Sequence, residues 1–157
     1  MTMHIQLEQE IIQHYPGVQI GYLIAEVSVT ETDPFVESLK MALSSHVQSM
    51  GVNATNFAIH PTVAIWREIY ERDFQVKAKT YRSSLEALLR RVVTGKEIWK
   101  INSIVDLYNC HSVLSLLPMG AYDLDKVVGD ISIRYAREGE TFLALGEKER
   151  LEAGLDS

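Results

Sequence analysis

The sequence predicts an α+β fold, with helices in the middle of the chain and strands toward both ends. Three observations predict it. Apolar residues recur at helical spacing between positions 33 and 116, an apolar run lies near the N-terminus, and polar and apolar residues alternate just after position 130. The chain has 157 residues, enough to bury a core of its own. We therefore expect a single domain over residues 1–157.

The N-terminal third is predicted to hold two helices and one strand. A short helix covers residues 7–14. Gln19 to Val29 is rich in apolar and β-branched residues, which is typical of a buried strand. Asp33 as cap and Pro34 as first residue begin a longer helix, and Gly51 ends it. The predicted apolar face of that helix is Phe35, Leu39, Leu43 and Val47.

The middle of the chain is predicted to carry three more helices. Pro61 opens the first. Ser83 and Glu86 have the spacing of a capping box and begin the second, which Gly95 ends. The third runs from Asn102 to about Leu116.

One face of this third helix is polar. Asn102, Asp106 and Asn109 are separated by four and then three positions, so they share a face. Amide and carboxylate groups there are placed for hydrogen bonding. The face either binds a ligand or ties down the turn that follows the helix.

The C-terminal part is predicted to form two strands. Residues 130–134 alternate polar and apolar side chains, which indicates a half-buried strand. Residues 137–140 read as a turn and residues 141–145 as the returning strand.

Composition and charge exclude several classes of function. The hydrophobic fraction is 46%, and no apolar run reaches the ~20 residues of a membrane helix. We see no secretory signal, and Cys110 is the single cysteine, so a reducing, cytoplasmic location is expected. The net charge of −6 argues against non-specific binding to nucleic acid. We expect no membrane partner, no DNA, no metal and no cofactor, since no phosphate-binding glycine loop or metal-ligand spacing occurs.

One stretch carries a net positive charge, although the chain as a whole is acidic. Between positions 75 and 100 there are seven Lys and Arg residues and two Glu, so the rest of the chain carries −11. The stretch is either a basic patch or a solvated helix face with its loop. Within it, a helix start beside an arginine could hold a phosphate or the end of a tRNA on free backbone N–H groups, or it could be an ordinary capping box. The candidate anion- or RNA-binding residues are Arg82, Ser83, Ser84, Arg90 and Arg91.

Four successive segments carry a resemblance to a known family. They are WREIYERDF, TYRSSLEALLRRVVTGK, INSIVDLYN and PMGAYDLDKVVGDISIRYAREGETFLALG, and together they cover about residues 66–146. In this order they resemble stand-alone proteins of the B3/B4 domain family. The same domain occurs in the beta subunit of bacterial phenylalanyl-tRNA synthetase, where it holds the site that hydrolyses tyrosine wrongly esterified to phenylalanine tRNA.

The resemblance implies a fold and a site. The fold would be α+β, with a central, mostly antiparallel sheet flanked by helices. The family's N-x-x-V-D-x-x-N motif matches Asn102, Val105, Asp106 and Asn109, and its P-x-H-A-F-D motif matches Pro118, Ala121, Tyr122 and Asp123. The resemblance therefore implies substrate-binding positions at Gly120, Ala121, Tyr122 and Asp123.

The chain departs from the family pattern at two points. The family's editing histidine falls at Gly120, which has no side chain to orient a water. Glycine is common here in stand-alone members. The later half of the editing pocket should also follow Gly146, and the tail EKERLEAGLDS does not resemble it. We expect either a C-terminally truncated domain or one without the rest of the pocket.

Candidate catalytic groups come from the same helix. An ester-cleaving site needs a positioned water, an orienting group and donors for the oxyanion. The candidates are Asn102, Asp106 and Asn109, with His111 as a less well-placed base. Cys110 lies beside apolar residues without a neighbouring cation and is expected to be an inert, buried thiol.

Three functional hypotheses follow. The first is an RNA-binding domain for tRNA, or a deacylase acting in trans on mischarged aminoacyl-tRNA, without a synthetase active site. The second is a small-molecule protein that binds an amino acid. The third is a non-catalytic protein-interaction domain, for which uncovered apolar surface would favour a homodimer.

Overall fold

The computed structural model describes residues 4–143, 148–149 and 151–152, and its secondary structure confirms the α+β class. The strands and helices, in chain order, are β1 (Ile5–Leu7), α1 (Gln9–His14), α2 (Pro34–Ser49), α3 (Pro61–Arg72), α4 (Ser84–Val93), α5 (Ser103–Ser115), β2 (Ile131–Ile133), β3 (Thr141–Phe142) and β4 (Leu151–Glu152). Two short 3₁₀ turns cover Phe57–Ile59 and Leu124–Lys126.

The chain divides into two compact units. One combines Met1–Ile24 with Tyr122–Ser157, and the other is Ala25–Ala121. The larger unit, Ala25–Ala121, contains the four long helices and the main hydrophobic core.

The core of the larger unit lies where α2, α4 and α5 pack on one another. Helix α4 places Leu85, Leu88, Leu89 and Val92 on a single buried face, because residues three, four and seven positions apart line up along a helix. Cys110 and Val113 complete the same cluster from α5.

Helix α2 begins as predicted, and three residues of its predicted apolar face, Leu39, Leu43 and Val47, pack in the core, whereas Phe35 does not. The Asp33 carboxylate accepts hydrogen bonds from the backbone N–H groups of Phe35 and Val36, at 2.8 and 3.2 Å. Phe35 is 62% exposed, while Val36 is buried with Leu43 and Val47. Residues eleven positions apart, such as Val36 and Val47, are separated by just over three full turns and share a face, whereas successive steps of four drift around the helix. The buried face of α2 therefore starts at Val36 and not at Phe35.

The predicted strand over residues 19–29 is wrong. The structure has no regular element between α1 and α2, and most side chains of this segment are exposed, Leu23 by 88%. A strand needs a neighbouring strand to pair its backbone N–H and C=O groups. No strand of the described residues pairs with this segment, so its β-forming composition is not sufficient.

The smaller unit contains two short strand pairs. β1 pairs with β2 in parallel, with Ile5 opposite Ile131 and Leu7 opposite Ile133. β3 pairs with β4 in antiparallel fashion. The strand at residues 130–134 is thus confirmed, but β3 does not return along β2, and residues 144–145 of the expected strand lie outside the described residues.

The expected central antiparallel sheet is not present among the described residues, which form only these two pairs. Pairs of two or three residues are too short to bury a sheet face. The apolar side chains are buried between helices instead.

The turn after β2 is held by a charge cluster. The Arg134 guanidinium donates to the Glu140 carboxylate at 2.8 Å, and the Arg137 backbone N–H donates to the same carboxylate at 2.7 Å. The bond from Arg134 and then the bond from Arg137 lower the pKa of Glu140 to about 2. The turn at residues 137–140 is confirmed.

Across the described residues, no helix has the length and apolar character required to span a membrane.

Candidate functional site

Asn102 caps helix α5. Its side-chain oxygen accepts hydrogen bonds from the backbone N–H groups of Ile104 and Val105, at 3.1 and 3.0 Å. The side chain is therefore used to satisfy N–H groups that have no partner inside the helix. This bonding leaves the Asn102 amide with a structural role at the start of α5.

Asp106 lies at the centre of a buried ion pair. It is 1% exposed, and its carboxylate accepts from Lys40 Nζ at 2.6 Å and from the Ile101 backbone N–H at 2.9 Å. Lys40 also bonds Glu37 at 3.0 Å. Burial works to lower the pKa of Lys40, but the bonds to Asp106 and Glu37 outweigh it, so that pKa is raised. Asp106 thus bonds the backbone before its own helix and not the turn after it.

Sequence reasoning missed Lys40, although a signal was available. The residue lies four positions after Val36 and three before Leu43, which places it on the apolar face of α2. A lysine on such a face requires a partner of opposite charge.

The other polar residues of α5 differ in exposure. Asn109 is half-buried and makes no side-chain hydrogen bond to another described residue, while His111 is exposed. The Cys110 thiol is fully buried. Burial is the main cause that raises its pKa to about 11, so the reactive thiolate is disfavoured at neutral pH. Asn109 and the exposed His111 are therefore the candidates of this helix whose side-chain polar groups are not already used within the described structure.

The predicted substrate-binding positions, residues 120–123, are exposed and have no regular secondary structure. Gly120 and Ala121 end the larger unit, and Tyr122 and Asp123 begin the second segment of the smaller one. A Cβ atom at Gly120 would meet no heavy atom within 4 Å, so the position has room for a side chain. The Asp123 carboxylate accepts from the Asp125 backbone N–H at 3.1 Å and caps the following 3₁₀ turn.

The start of helix α4 is a capping structure with a buried charge cluster behind it. The Ser83 hydroxyl accepts from the Glu86 backbone N–H at 3.2 Å. The Glu86 side chain does not return this bond but turns inward, where it is 1% exposed. Two guanidinium nitrogens of Arg67 bond it, at 2.7 and 3.0 Å, and Arg82 approaches it to 3.7 Å. The bond to Glu86 raises the pKa of Arg67.

The five candidate anion-binding residues divide between the two ends of α4. Arg82, Ser83 and Ser84 lie at its start, and Arg90 and Arg91 lie in its last turn. Ser84 and Arg91 are seven residues apart, roughly 10 Å at 1.5 Å per residue. The Arg91 guanidinium donates to the Glu97 carbonyl at 2.7 Å and covers the Trp99 ring at 4.3 Å. The set is therefore a row along one helix and not a single pocket.

An open cleft of about 480 Å³ lies beside the start of α4. Its lining residues are Tyr70, Phe74, Val76, Thr80, Tyr81 and Arg82. A second, smaller cleft of about 230 Å³ lies between α2 and the end of α4. Neither cleft is lined by the predicted site on α5. Within the described part of the chain, no three His, Cys, Asp or Glu side chains are grouped to hold a metal ion.

Comparison with known proteins identifies one domain. The sequence model of the B3/4 domain matches residues 66–154, more than half of the chain. No solved structure gives a significant match.

The curated relatives are beta subunits of phenylalanine–tRNA ligase. That of Chromobacterium violaceum is 37% identical over 73 residues, which are 46% of this chain and 9% of the subunit. That of Brucella abortus is 41% identical over 56 residues, 35% of this chain and 7% of the subunit. That of Mycoplasmoides gallisepticum is 30% identical over 80 residues, 51% of this chain and 9% of the subunit. The chain thus spans less than a tenth of the length of these relatives.

Proposed function

Because the chain belongs to the B3/4 domain family, we propose that it is an RNA-binding module whose ligand is transfer RNA. The relatives that support this proposal are ligases for phenylalanine tRNA, and their similarity lies within the matched domain. The proposal concerns this domain and no other part of those enzymes.

The observation that carries the proposal is the state of the cations between positions 75 and 100. Six of the seven are exposed, and Arg91 is half-buried. Five have no carboxylate of a described residue within ion-pair distance, namely Lys77, Lys79, Arg90, Arg91 and Lys96. Arg91 also donates to a backbone carbonyl and covers Trp99, but its charge is not neutralised. Cations without a carboxylate partner are available to phosphate groups, and the release of counterions drives RNA binding.

We propose that the row along α4 carries the RNA backbone. Arg82, Ser83 and Ser84 would contact one phosphate region, and Arg90 and Arg91 the next. The exposed Lys96 continues the row past the end of the helix.

Salt-dependent binding of tRNA tests this function. Filter binding between low and physiological salt should show affinity falling steeply, and each lost phosphate contact should reduce the logarithmic slope by about 0.7 to 0.9. The variant Arg90→Gln/Lys96→Gln should therefore bind more weakly and with a smaller slope. Lys126→Gln, which removes an exposed cation of the smaller unit, should match the original protein. Absence of tRNA binding at low salt would refute the proposal.

We further propose that the module acts in trans on mischarged aminoacyl-tRNA, with Asn109, Gly120 and Ala121 of the larger unit at the ester. Two observations support this. Asn109 keeps its amide uncommitted among the described residues, and the matched domain includes both segments. Asn102 and Asp106 would hold α5 in place and not touch the substrate, since their polar atoms are occupied.

Deacylation of tyrosylated phenylalanine tRNA tests this activity. The family's editing histidine is replaced by Gly120, which has room for a side chain. We expect slow hydrolysis by the original protein and faster hydrolysis by Gly120→His, with no gain in Gly120→Leu. If none of the three accelerates ester loss over buffer, the activity is excluded, while RNA binding stands on its own measurement.

A second candidate function is the binding of a free amino acid. It is favoured by the net charge of −6, which opposes RNA over most of the molecule. A thermal-shift screen with amino acids would show a stabilisation that does not depend on salt. Loss of that stabilisation in Asn109→Ala would assign the ligand to α5.

A further inference from the structure

We propose that the cleft between the end of α3 and the loop before α4 binds an unstacked base of single-stranded RNA, such as the free end of a tRNA. This inference rests on the RNA binding proposed above and assigns a place and a recognition chemistry to it. The cleft is distinct from the α5 site, because none of its lining residues belongs to α5 or to the turn after it.

The walls of the cleft are aromatic. Tyr70 and Phe74 are arranged edge to face with ring centroids 6.3 Å apart, and Tyr81 is a third aromatic residue of the lining. Phe74 is 45% exposed and Tyr81 is 52% exposed, so part of each side chain is accessible to a ligand. The volume of about 480 Å³ is within the usual range of ligand pockets. Bases of any sequence stack on such rings.

The loop that forms the cleft is fixed by its own backbone. Gln75 adopts a left-handed conformation with φ of 54°, and the next N–H, that of Val76, donates to the Tyr70 carbonyl at 3.1 Å. The N–H groups of Thr80 and Tyr81 both donate to the Lys77 carbonyl. Ala78 is buried between these contacts. A preformed cleft loses less conformational entropy when a ligand enters.

The charge around the cleft favours a polyanion. Lys77 and Lys79 are exposed on the loop, Arg82 lines the cleft, and no acidic residue occurs between positions 74 and 85. Two carboxylates near the lining are already bonded by arginines, Glu86 by Arg67 and Asp73 by Arg72. Burial, and secondly the charge of Glu86, raise the pKa of Tyr70, which keeps that phenol neutral.

Aromatic faces next to cations fit a nucleotide better than an apolar peptide. The base would stack on the rings, and the adjoining phosphates would pair with the cations. This is the usual arrangement in the binding of single strands. A peptide with aromatic and acidic side chains is the competing ligand, and the experiment is designed to separate the two.

The probe is a short single-stranded RNA that carries 2-aminopurine at its 3′ end, measured with the full chain. We expect quenching of the 2-aminopurine fluorescence on binding. An otherwise identical RNA with an abasic 3′ position should bind at least several-fold more weakly, since one stacked base is lost. This comparison uses the unaltered protein and does not depend on any variant folding.

Variants then locate the site. Tyr81→Leu should weaken binding about 10-fold with an unchanged salt slope, because it removes a stacking face and no charge. Tyr81→Phe, which keeps the ring, should bind like the original protein. Tyr22→Leu removes an exposed aromatic ring, 62% exposed, from the smaller unit and should have no effect. Lys77→Gln/Lys79→Gln should lower the salt slope while the quenching persists.

The outcomes distinguish the two proposals. No binding of either RNA at low salt would refute RNA binding itself. Binding without quenching would refute the base-binding cleft and leave the proposed function intact. The same conclusion would follow if the abasic RNA bound as tightly as the 2-aminopurine RNA and Tyr81→Leu bound RNA as tightly as the unaltered protein. The cleft proposal would also be overturned if an acidic aromatic peptide displaced the RNA and the protein did not prefer the RNA with a 3′ base over the abasic RNA.

Discussion

At the scale of single residues, the structure uses its buried charges as internal supports. Asp106 and Glu86 are both almost fully buried, and each is paired with a cation from another helix, Lys40 and Arg67 respectively. A buried charge without its partner is costly. The polar face of α5 could be predicted from spacing, but its partner Lys40 is 66 positions away and no local pattern connects them.

Removal of the Asp106 carboxylate should destabilise the larger unit strongly. We expect Asp106→Ala to lower the free energy of unfolding by about 3 kcal/mol, because Lys40 and the Ile101 N–H both lose their acceptor. Asp106→Asn should cost less, since the amide oxygen can still accept from Ile101. Urea unfolding measures both, and equal costs for the two variants would show that the hydrogen bond from Ile101 contributes little beyond the ion pair with Lys40.

The thiol of Cys110 should make stability fall at alkaline pH. Its pKa is raised from 9.0 to about 11 in the folded protein, so the unfolded chain releases this proton first. The contribution of the protonated thiol to the free energy of unfolding is complete below pH 9. It is lost as pH rises toward about 11, at about 1 kcal/mol per pH unit near pH 10.

The control for this prediction is Cys110→Ala, which should unfold with a shallower alkaline slope than the original protein. In native protein at neutral pH the thiol should also resist alkylation until urea is added. Rapid native alkylation would contradict the burial of Cys110.

At the scale of elements, helix starts were predictable and strands were less so. A cap is local information: Asp33, Ser83 and Asn102 lie within three residues of the N–H groups that they accept from. A strand depends on a partner that is distant in sequence. For this reason the segment at residues 19–29 was predicted wrongly, and the pairing of β1 with β2 was not foreseen.

Replacement of the α5 cap separates its structural role from a catalytic one. Asn102→Ala should lower the free energy of unfolding by about 1 kcal/mol, since two backbone N–H groups of α5 lose their acceptor. Asn102→Ser and Asn102→Asp keep a capping oxygen and should retain most of the stability. If all three variants lose tRNA-related activity while stability is kept in the last two, Asn102 also contacts the substrate.

At the scale of the whole molecule, the two units differ in how much core they contain. The cluster of buried apolar side chains lies within Ala25–Ala121. In the smaller unit, Ile11 is the one buried apolar side chain among the described residues, and it is still 8% exposed. The sequence predicted the α+β class, but composition is distributed too evenly along the chain to show this difference.

Amide hydrogen exchange should follow that division. The amides of α4 and α5 should exchange slowest, because opening them exposes the main core. Those of β1 and β2 should exchange faster, since short strands with little buried apolar surface open at low cost. Equal protection in both units would show that the chain opens as one cooperative body.

The segment at residues 19–29 should affect how copies of the protein associate in solution. It presents a run of uncovered apolar side chains, with Tyr22, Leu23 and Val29 each more than half exposed, beside backbone groups that no strand of the described structure pairs. Such a segment can pair with the same segment of another molecule, so association of copies should increase with protein concentration. Leu23→Lys places like charges on the meeting surfaces, so light scattering should show less association for this variant than for the original protein at the same concentration.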